Sequence, residues 1–444
     1  MRPFVEVIAE AGEHHKEGRL NEAAFLYENL LGACPDDPIC LYLYGTLLSQ
    51  QKKFGLAMTL LEKSTRIEPD ELPEAWHNLG VAYRNEGHTE KARDAYREAI
   101  RLRPSAELWA MLSGSYINTG TPLKALEYAQ NALDLKPDLA HGHNHMALGL
   151  LELGRYAEAW PHYEYRFALD TMSASARPFE CPKWDGKPVK RLAIHGEQGI
   201  GDEILFMSCF GDIEGVEEIA VECERRLIPL FERSFGVKCY PSFDEMTKEF
   251  EADAYIAMGS LPGLFRKKKE DFPGHTFLKA DPAKVAKWRS RLPENPIGIA
   301  WHGGTKGTHQ ELRNAPLEMW ADFIRGKNVV SVQYDGAAQA AELGIPHYQD
   351  AIDDLDEFAA LVAALDGVVS VCQSVIHFAG GLGTPCLVFT PDQPAWRYGI
   401  EGQHMDWYGD HLELIRGDWS RSFTIAEQKI ADIGRLRGAK QSVA

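Results

Sequence analysis

The chain has 444 residues, enough for about three domains at roughly 150 residues each. Apolar residues make up 45% of it and charged residues 25%, the balance of an ordinary folded protein, which excludes disorder, a collagen-like fibre and a small disulfide-stapled scaffold. With 65 acidic side chains against 47 basic ones the net charge is −18, so a nucleic-acid backbone meets net repulsion and no nucleic-acid partner is expected. The eight cysteines (34, 40, 181, 209, 223, 239, 372 and 386) form no C-x-x-C pair and no zinc spacing, and read as buried thiols in a reducing compartment. The opening MRPFVEVIAEAGEHHKEG lacks the apolar core of a signal peptide, and no stretch approaches the roughly 18 apolar residues that span a bilayer. The expectation is a cytoplasmic protein with no membrane span.

The first 171 residues repeat themselves. Glycine followed five residues later by alanine recurs as Gly18/Ala23, Gly87/Ala92, Gly120/Ala125 and Gly154/Ala159, with Lys52/Ala57 in the remaining slot. Each unit but the last ends in proline, at 35, 69, 104 and 137, spaced 34, 35 and 33 residues apart. The third unit carries Trp76, Leu79, Gly80, Tyr83, Ala92, Tyr96, Ala99 and Pro104. This pattern resembles the tetratricopeptide repeat, an antiparallel helix pair whose small residues allow close approach and whose large ones fill the groove to the next pair. Five units are expected, at 4–37, 38–72, 73–105, 106–139 and 140–171. Stacked, they form an α-solenoid whose concave face holds a peptide or protein, or else packs on the chain itself or on a second copy. His141, His143 and His145 fall on one expected helix, and 141/145 at i, i+4 has metal-ligand spacing. With no third ligand evident, no metal is assigned.

A polar connection, SASARPFECPKWDGKPVK at 173–190, then leads to β-branched runs alternating with helical stretches, the signature of parallel sheets. Strands are expected at 191–195, 218–223, 254–258, 296–302, 329–333, 367–371 and 386–390. A break near Leu292–Asn295 divides a lobe at 191–292 from one at 293–444. Two Rossmann-like α/β lobes facing a cleft are the economical arrangement.

The first lobe runs from its opening strand into Gly196-Glu197-Gln198-Gly199-Ile200-Gly201-Asp202-Glu203. A dinucleotide fingerprint is rejected here, because Ile204 replaces the third glycine and Asp202 puts a carboxylate where pyrophosphate would lie. Asp202 suits either general-base work or capping of the next helix. His195 and Glu197, in the same turn, stand in reserve as bases. In the second lobe the strand GVVSV meets Cys372-Gln373-Ser374-Val375-Ile376-His377, so that Gln373 and Ser374 open a helix where free amides favour phosphate. His377, one turn on, either meets a ligand or fills a polar position under the sheet.

Taken in order, H-G-E-Q-G-I-G-D-E-I, W-H-G-G followed by R-N-A-P-L, S-V-C-Q-S-V-I-H-F-A-G-G-L-G-T-P and P-A-W-R-Y-G resemble the heptosyltransferase-like glycosyltransferases of GT-B architecture. The whole layout is similar to that of O-GlcNAc transferases, although of their asparagine ladder only Asn78 is found. The resemblance implies a base at Asp202 beside the acceptor-side loop Gln198, Gly199 and Gly201, with His377 joining it in the catalytic pair. It implies donor contacts from Trp301, Gly303, Gly304, Gln333, Cys372, Gln373, Ser374 and Trp396, and a phosphate-balancing cation at Arg313 or Lys306. The family's usual Asp-Thr-x-x-x-His reads Cys372-Gln373-Ser374-Val375-Ile376-His377 here, so the histidine is kept and the acid and threonine are not.

Transfer from a nucleotide sugar to a hydroxyl needs a base, fixed positive charge on the leaving diphosphate and a closing cleft. Asp202, Arg313 with the 373–374 helix start, and the interlobe cleft answer to these. Asp353-Asp354-Leu355-Asp356 comes nearest to a metal-binding acid pair but reads as a loop and helix start, so a metal-independent mechanism without cofactor is expected. Trp301 and Trp396 either stack on base or sugar or wedge the lobes. The alternative function is a repeat scaffold that has lost turnover. A protein acceptor and a nucleotide sugar are the expected partners, with a homo-oligomer possible in principle.

Overall fold

The computed structural model describes residues 3–304 and 310–441. The chain divides into two compact units, Met1–Gly149 and Leu150–Ala444. In the first, helices pair as Phe4–Lys16 with Leu20–Ala33, Pro38–Gln50 with Phe54–Ile67, Pro73–Asn85 with Thr89–Leu102, and Ala106–Gly114 with Pro122–Leu135. The sequence period has a direct cause. Gly18, Lys52, Gly87, Gly120 and Gly154 all occupy the turn between paired helices with φ between +59° and +80°, a left-handed conformation that glycine adopts without a Cβ penalty. The alanine five residues on, at 23, 57, 92, 125 and 159, is fully buried each time, since only a methyl fits where the antiparallel helices touch. Asn78 donates to the Thr46 hydroxyl at 2.7 Å.

The histidine helix, Ala140–Glu152, is less open than the sequence implies. His143 Nε2 lies 2.8 Å from the Pro137 carbonyl oxygen, and the His145 ring packs on Gly114. Burial, with His141 adding to it, pushes His145 down to about 4.

The division between units falls inside that helix, so the second helix of the fifth repeat, Tyr156–Tyr163, belongs to the second unit, well before the boundary expected at 172. Its docking there is extensive. The Trp160 indole N–H donates to the Arg266 carbonyl at 2.7 Å, and the Tyr156 hydroxyl to Asp406 at 2.7 Å. Just beyond it, Arg166 grips Glu197 through two bonds of 2.7 and 2.6 Å, both side chains fully buried. The expected linker is packed as well, since Trp184 is buried and its backbone amide donates to the Tyr255 carbonyl at 2.7 Å.

Two sheets follow. The first contains β1 (Val189–His195), β2 (Val216–Glu222), β3 (Lys238–Tyr240) and β4 (Ala254–Ala257), all parallel in the order β3-β2-β1-β4. The second contains β5 (Ile297–Ala300), β6 (Val329–Ser331), β7 (Gly367–Val371), β8 (Cys386–Thr390), β9 (His404–Met405) and β10 (Gly409–Arg416). Its order is β6-β5-β7-β8-β10-β9, parallel except for β9 against β10. Every strand expected from the sequence is present; β3, β9 and β10 are additional. Helix Pro282–Arg291, expected in the first lobe, packs on the second, where the Trp288 indole N–H donates to Glu357 at 2.8 Å. Asp354 caps helix Leu355–Ala364 through the amides of Asp356 and Glu357, as a loop and helix start requires.

Because the last repeat helix is built into the second unit, a chain beginning at residue 140 should keep that unit cooperatively folded. One beginning at 172 loses Arg166 and strands the Glu197 carboxylate, a cost of roughly 3–5 kcal/mol. Urea unfolding of the two truncations followed by near-ultraviolet dichroism checks this, and equal midpoints would overturn it.

Candidate functional site

Parallel strands deliver their connecting loops to one end of a sheet, and in open α/β lobes ligands bind beyond those carboxyl ends. β1 ends at His195 and its loop enters helix Ile200–Met207. β7 ends at Val371 and its loop enters helix Val375–Leu382. These two helix starts face each other. A Cβ on Gly201 would lie 2.8 Å from His377 Cδ2, so glycine is what allows the contact.

Asp202 is the third residue of its helix, whose cap is Gly199, and its side chain caps nothing. Instead Oδ1 accepts from Arg397 Nε at 2.6 Å, and the carboxylate stays about one-fifth exposed. Arg397 comes from the Trp396–Tyr398 turn after β8, lies 4.8 Å from the Trp396 ring centroid and also reaches Gln198 Oε1 at 3.4 Å. Gln198 Nε2 in turn donates to the Tyr163 hydroxyl at 2.8 Å. Gly199 is open to solvent beside them. The loop residues expected on the acceptor side and Asp202 are therefore together, tied by Arg397, which the sequence reading did not single out.

His377 takes the buried alternative. Its Nδ1 lies 2.9 Å from the Tyr408 hydroxyl oxygen, and burial, reinforced by Arg397, pushes it down to about 3. A neutral ring with Nδ1 on Tyr408 and its edge against Gly201 joins the lobes, the buried position under the sheet rather than the catalytic pair expected for it. The reserve bases are removed similarly. Burial pushes His195 down to about 4, and Glu197 is held by Arg166 and by the Gly259 amide at 2.8 Å.

Among the residues expected to contact a donor, Gln373 and Ser374 stand at the helix start, with Ser374 exposed. Gln373 Nε2 donates to Gln333 Oε1 at 3.3 Å. Gln333 is itself only 1% exposed and accepts from the Trp301 and His302 amides at 2.9 and 3.0 Å, so it is an internal strut between β5 and β6. Trp301 is buried in the core of the second sheet, its indole N–H on Gln339 at 3.2 Å. Trp396 is buried among Trp160, Tyr163 and Trp407. Both tryptophans wedge; neither ring is free to stack on a ligand. Gly303 backs onto the loop after β7, where a Cβ would meet the Cys372 carbonyl oxygen at 2.7 Å, and Gly304 is exposed with φ +80°. Lys306 lies outside the described residues.

Arg313 ends the Gln310–Arg313 turn, and its charge acts on the Cys372 thiol and the Tyr398 hydroxyl. Cys372 is nonetheless pushed up to about 11 by burial, so it stays a neutral thiol. Arg416, at the end of β10, donates to the Tyr398 carbonyl at 2.6 Å and to the Gly402 carbonyl at 3.0 Å. Three arginines, 313, 397 and 416, thus gather at the carboxyl ends of the second sheet in an acidic chain. Among the described residues no group of three or more His, Cys, Asp or Glu is placed to hold a metal ion, and no helix is long and apolar enough to cross a membrane. A surface hollow of about 530 Å³ lined by Leu278, Val285, Arg289 and Leu382 includes none of the candidate residues.

Beside Asp202, Glu203 is buried, and that burial pushes it up to about 8 against the opposing bond from the Glu224 amide. Its proton is then held in the folded chain and lost in the unfolded one as pH rises from about 4.5 towards 8. Stability should fall across that window by at most ~1.4 kcal/mol per pH unit. Glu203→Gln should flatten the fall, read as urea midpoints at pH 5 and pH 8; an unchanged slope would contradict the assignment.

Tetratricopeptide-repeat family models match residues 14–79, 73–106 and 106–139, and these residues are tetratricopeptide repeats. The chain is similar to Protein FlbA of Caulobacter vibrioides, 30% identical over 427 residues, which is 88% of this chain and 66% of that protein. It therefore spans just under two thirds of that relative's length. Protein O-mannosyl-transferase TMTC1 of Mus musculus is 28% identical over 125 residues, 27% of this chain and 13% of that one. Among solved structures, that of MamA is 22% identical and covers 35% of this chain and 91% of that chain, at a TM-score of 0.33.

Proposed function

We propose that the chain is a glycosyltransferase of GT-B architecture that moves a sugar from a nucleotide sugar to a hydroxyl on a protein or peptide held by the repeats. The observation that carries this reading is Asp202. Its carboxylate is part-exposed where the carboxyl ends of two parallel sheets face each other, and it is aimed by Arg397. A hydroxyl is a poor nucleophile at neutral pH, so transfer needs a base within about 3 Å of it. Asp202 takes the hydroxyl proton as the acceptor oxygen bonds the anomeric carbon. The bond from that carbon to the diphosphate breaks, and the nucleoside diphosphate leaves with the electron pair. Arg313, Arg416 and the amides opening helix Val375–Leu382 balance the charge that develops there. No metal is asked for, since the arginines supply positive charge.

Tetratricopeptide arrays bind peptides or proteins, which supports a macromolecular acceptor. The similarity to TMTC1, named as a protein O-mannosyl-transferase, agrees with this over the share of the chain it covers. One observation favours a second reading, a scaffold without turnover. The position where the resembling enzymes carry an acid holds Cys372, buried and neutral.

Calorimetry against a panel of UDP-, GDP- and ADP-sugars tests the first reading. Arg313→Ala should weaken binding of the nucleotide found by roughly 1.5–3 kcal/mol, the scale of a charge-assisted hydrogen bond. Asp202→Asn keeps the shape and one acceptor for Arg397 but cannot take the proton, so turnover should drop by about 10²–10⁴-fold with donor affinity nearly unchanged. A chain that binds partner protein and none of these nucleotides is the scaffold.

A further inference from the structure

Gln198 is a non-glycine residue in the left-handed region, at φ +65°, in an exposed loop. Such a conformation costs about 1 kcal/mol and persists only where its surroundings hold it. Those surroundings come from the last repeat. On one side Glu197 is locked to Arg166, which also bonds the Tyr163 carbonyl at 3.1 Å and the Ser260 hydroxyl at 3.0 Å. On the other, the Gln198 amide spans from the Tyr163 hydroxyl at 2.8 Å to Arg397 at 3.4 Å.

The amide's orientation is settled by chemistry. Arginine only donates, so Oε1 must face Arg397, and Nε2 is left to face Tyr163, whose oxygen accepts. The Tyr163 ring is buried against Trp160 and Trp396, which fixes where that oxygen lies. Arg397 then delivers Nε to Asp202 at 2.6 Å. The result is one continuous chain of hydrogen bonds linking Tyr163, Gln198, Arg397 and Asp202, in which Arg397 donates to both Gln198 and the proposed base and Gln198 donates to Tyr163 on the repeat helix.

We propose that the second helix of the fifth repeat is part of the transfer site, with Tyr163 and Arg166 as positioning residues that hold Gln198, and through it Arg397, against Asp202. This rests on the transferase reading, which supplies the role of Asp202.

The test uses the full chain and three variants: Tyr163→Phe, which removes only the hydroxyl, Gln198→Met, and the two combined. The amides of Asp202 and Glu203, which bond the Gly199 carbonyl, are followed by hydrogen exchange. Each single variant should speed their exchange about 3- to 10-fold, the scale of one neutral hydrogen bond, while the amides of β1 and the melting temperature stay as in wild type. The double variant should match the singles, because one chain is cut only once. With the donor that calorimetry selects, kcat should fall by the same factor at unchanged donor KM, a split that loss of packing alone does not produce. Unaltered exchange at 202 and 203, or additive effects in the double variant, would overturn the proposal. A wild-type chain that turns over none of the nucleotide sugars would defeat the transferase reading instead, and the exchange measurement still decides whether the last repeat holds the loop.

Discussion

The arrangement of the second unit depends on one buried ion pair. Arg166 and Glu197 are both withdrawn from water, and burying two opposite charges costs as much as their attraction returns unless every remaining donor and acceptor is met. Here they are met. The guanidinium makes a two-pronged contact with the carboxylate and also reaches the Tyr163 carbonyl and the Ser260 hydroxyl, while the carboxylate takes the Gly259 amide as well. An apolar pair of similar volume would fill the space but could not dictate direction. What the pair contributes is geometry: it fixes the residue before Gln198, and so the angle at which the loop enters helix Ile200–Met207.

From that fixed point the lobes meet through aromatic contacts, such as Phe272 on Trp407, and through a few contacts at polar groups. Gly201 gives room to His377, His377 holds the Tyr408 hydroxyl, and Arg397 crosses from the second lobe to Asp202. The chain's −18 charge does not govern this region, because exposed charges beyond about 8 Å are screened at physiological ionic strength. The local field is set instead by nearby groups, among them the Arg397–Asp202 pair and the charges of Arg313 and Arg416 that act on Cys372.

Much of this was legible in the sequence, for reasons that also mark its limit. The repeats could be read because each turn forces a left-handed residue and each helix crossing forces an alanine, so the constraint is local and recurs. The apolar parallel strands could be read because burial on both faces writes itself as a β-branched run, as in GVVSV. The three-residue β3 and the charge-bearing β10, GDHLELIR, carry no such run. At the site, Asp202 and the 373–374 helix start follow from strand-to-helix turns and were placed. The partners were not. Arg397 stands 195 residues from Asp202, and Tyr163 lies in what reads as repeat. Trp301, Gln333, Trp396 and His377 carry chemistry that suits ligands, yet each is occupied by a neighbour distant in sequence, and one chain's pattern cannot show that.

The thiol at 372 ties these threads together. An acid at that position would sit where Arg313 and Arg416 exert their charge and would neutralise part of it. Cys372, held protonated by burial, neutralises none. The carboxyl ends of β7, β8 and β10 therefore carry a neutral thiol where an acid would have brought a negative charge. Under the transferase reading the substitution trades a side chain that accepts from sugar hydroxyls for a stronger pull on anions, so the donor's phosphates gain at the sugar's expense. Selectivity for the transferred sugar then falls to groups still able to reach it, and the exposed Ser374 is foremost among them.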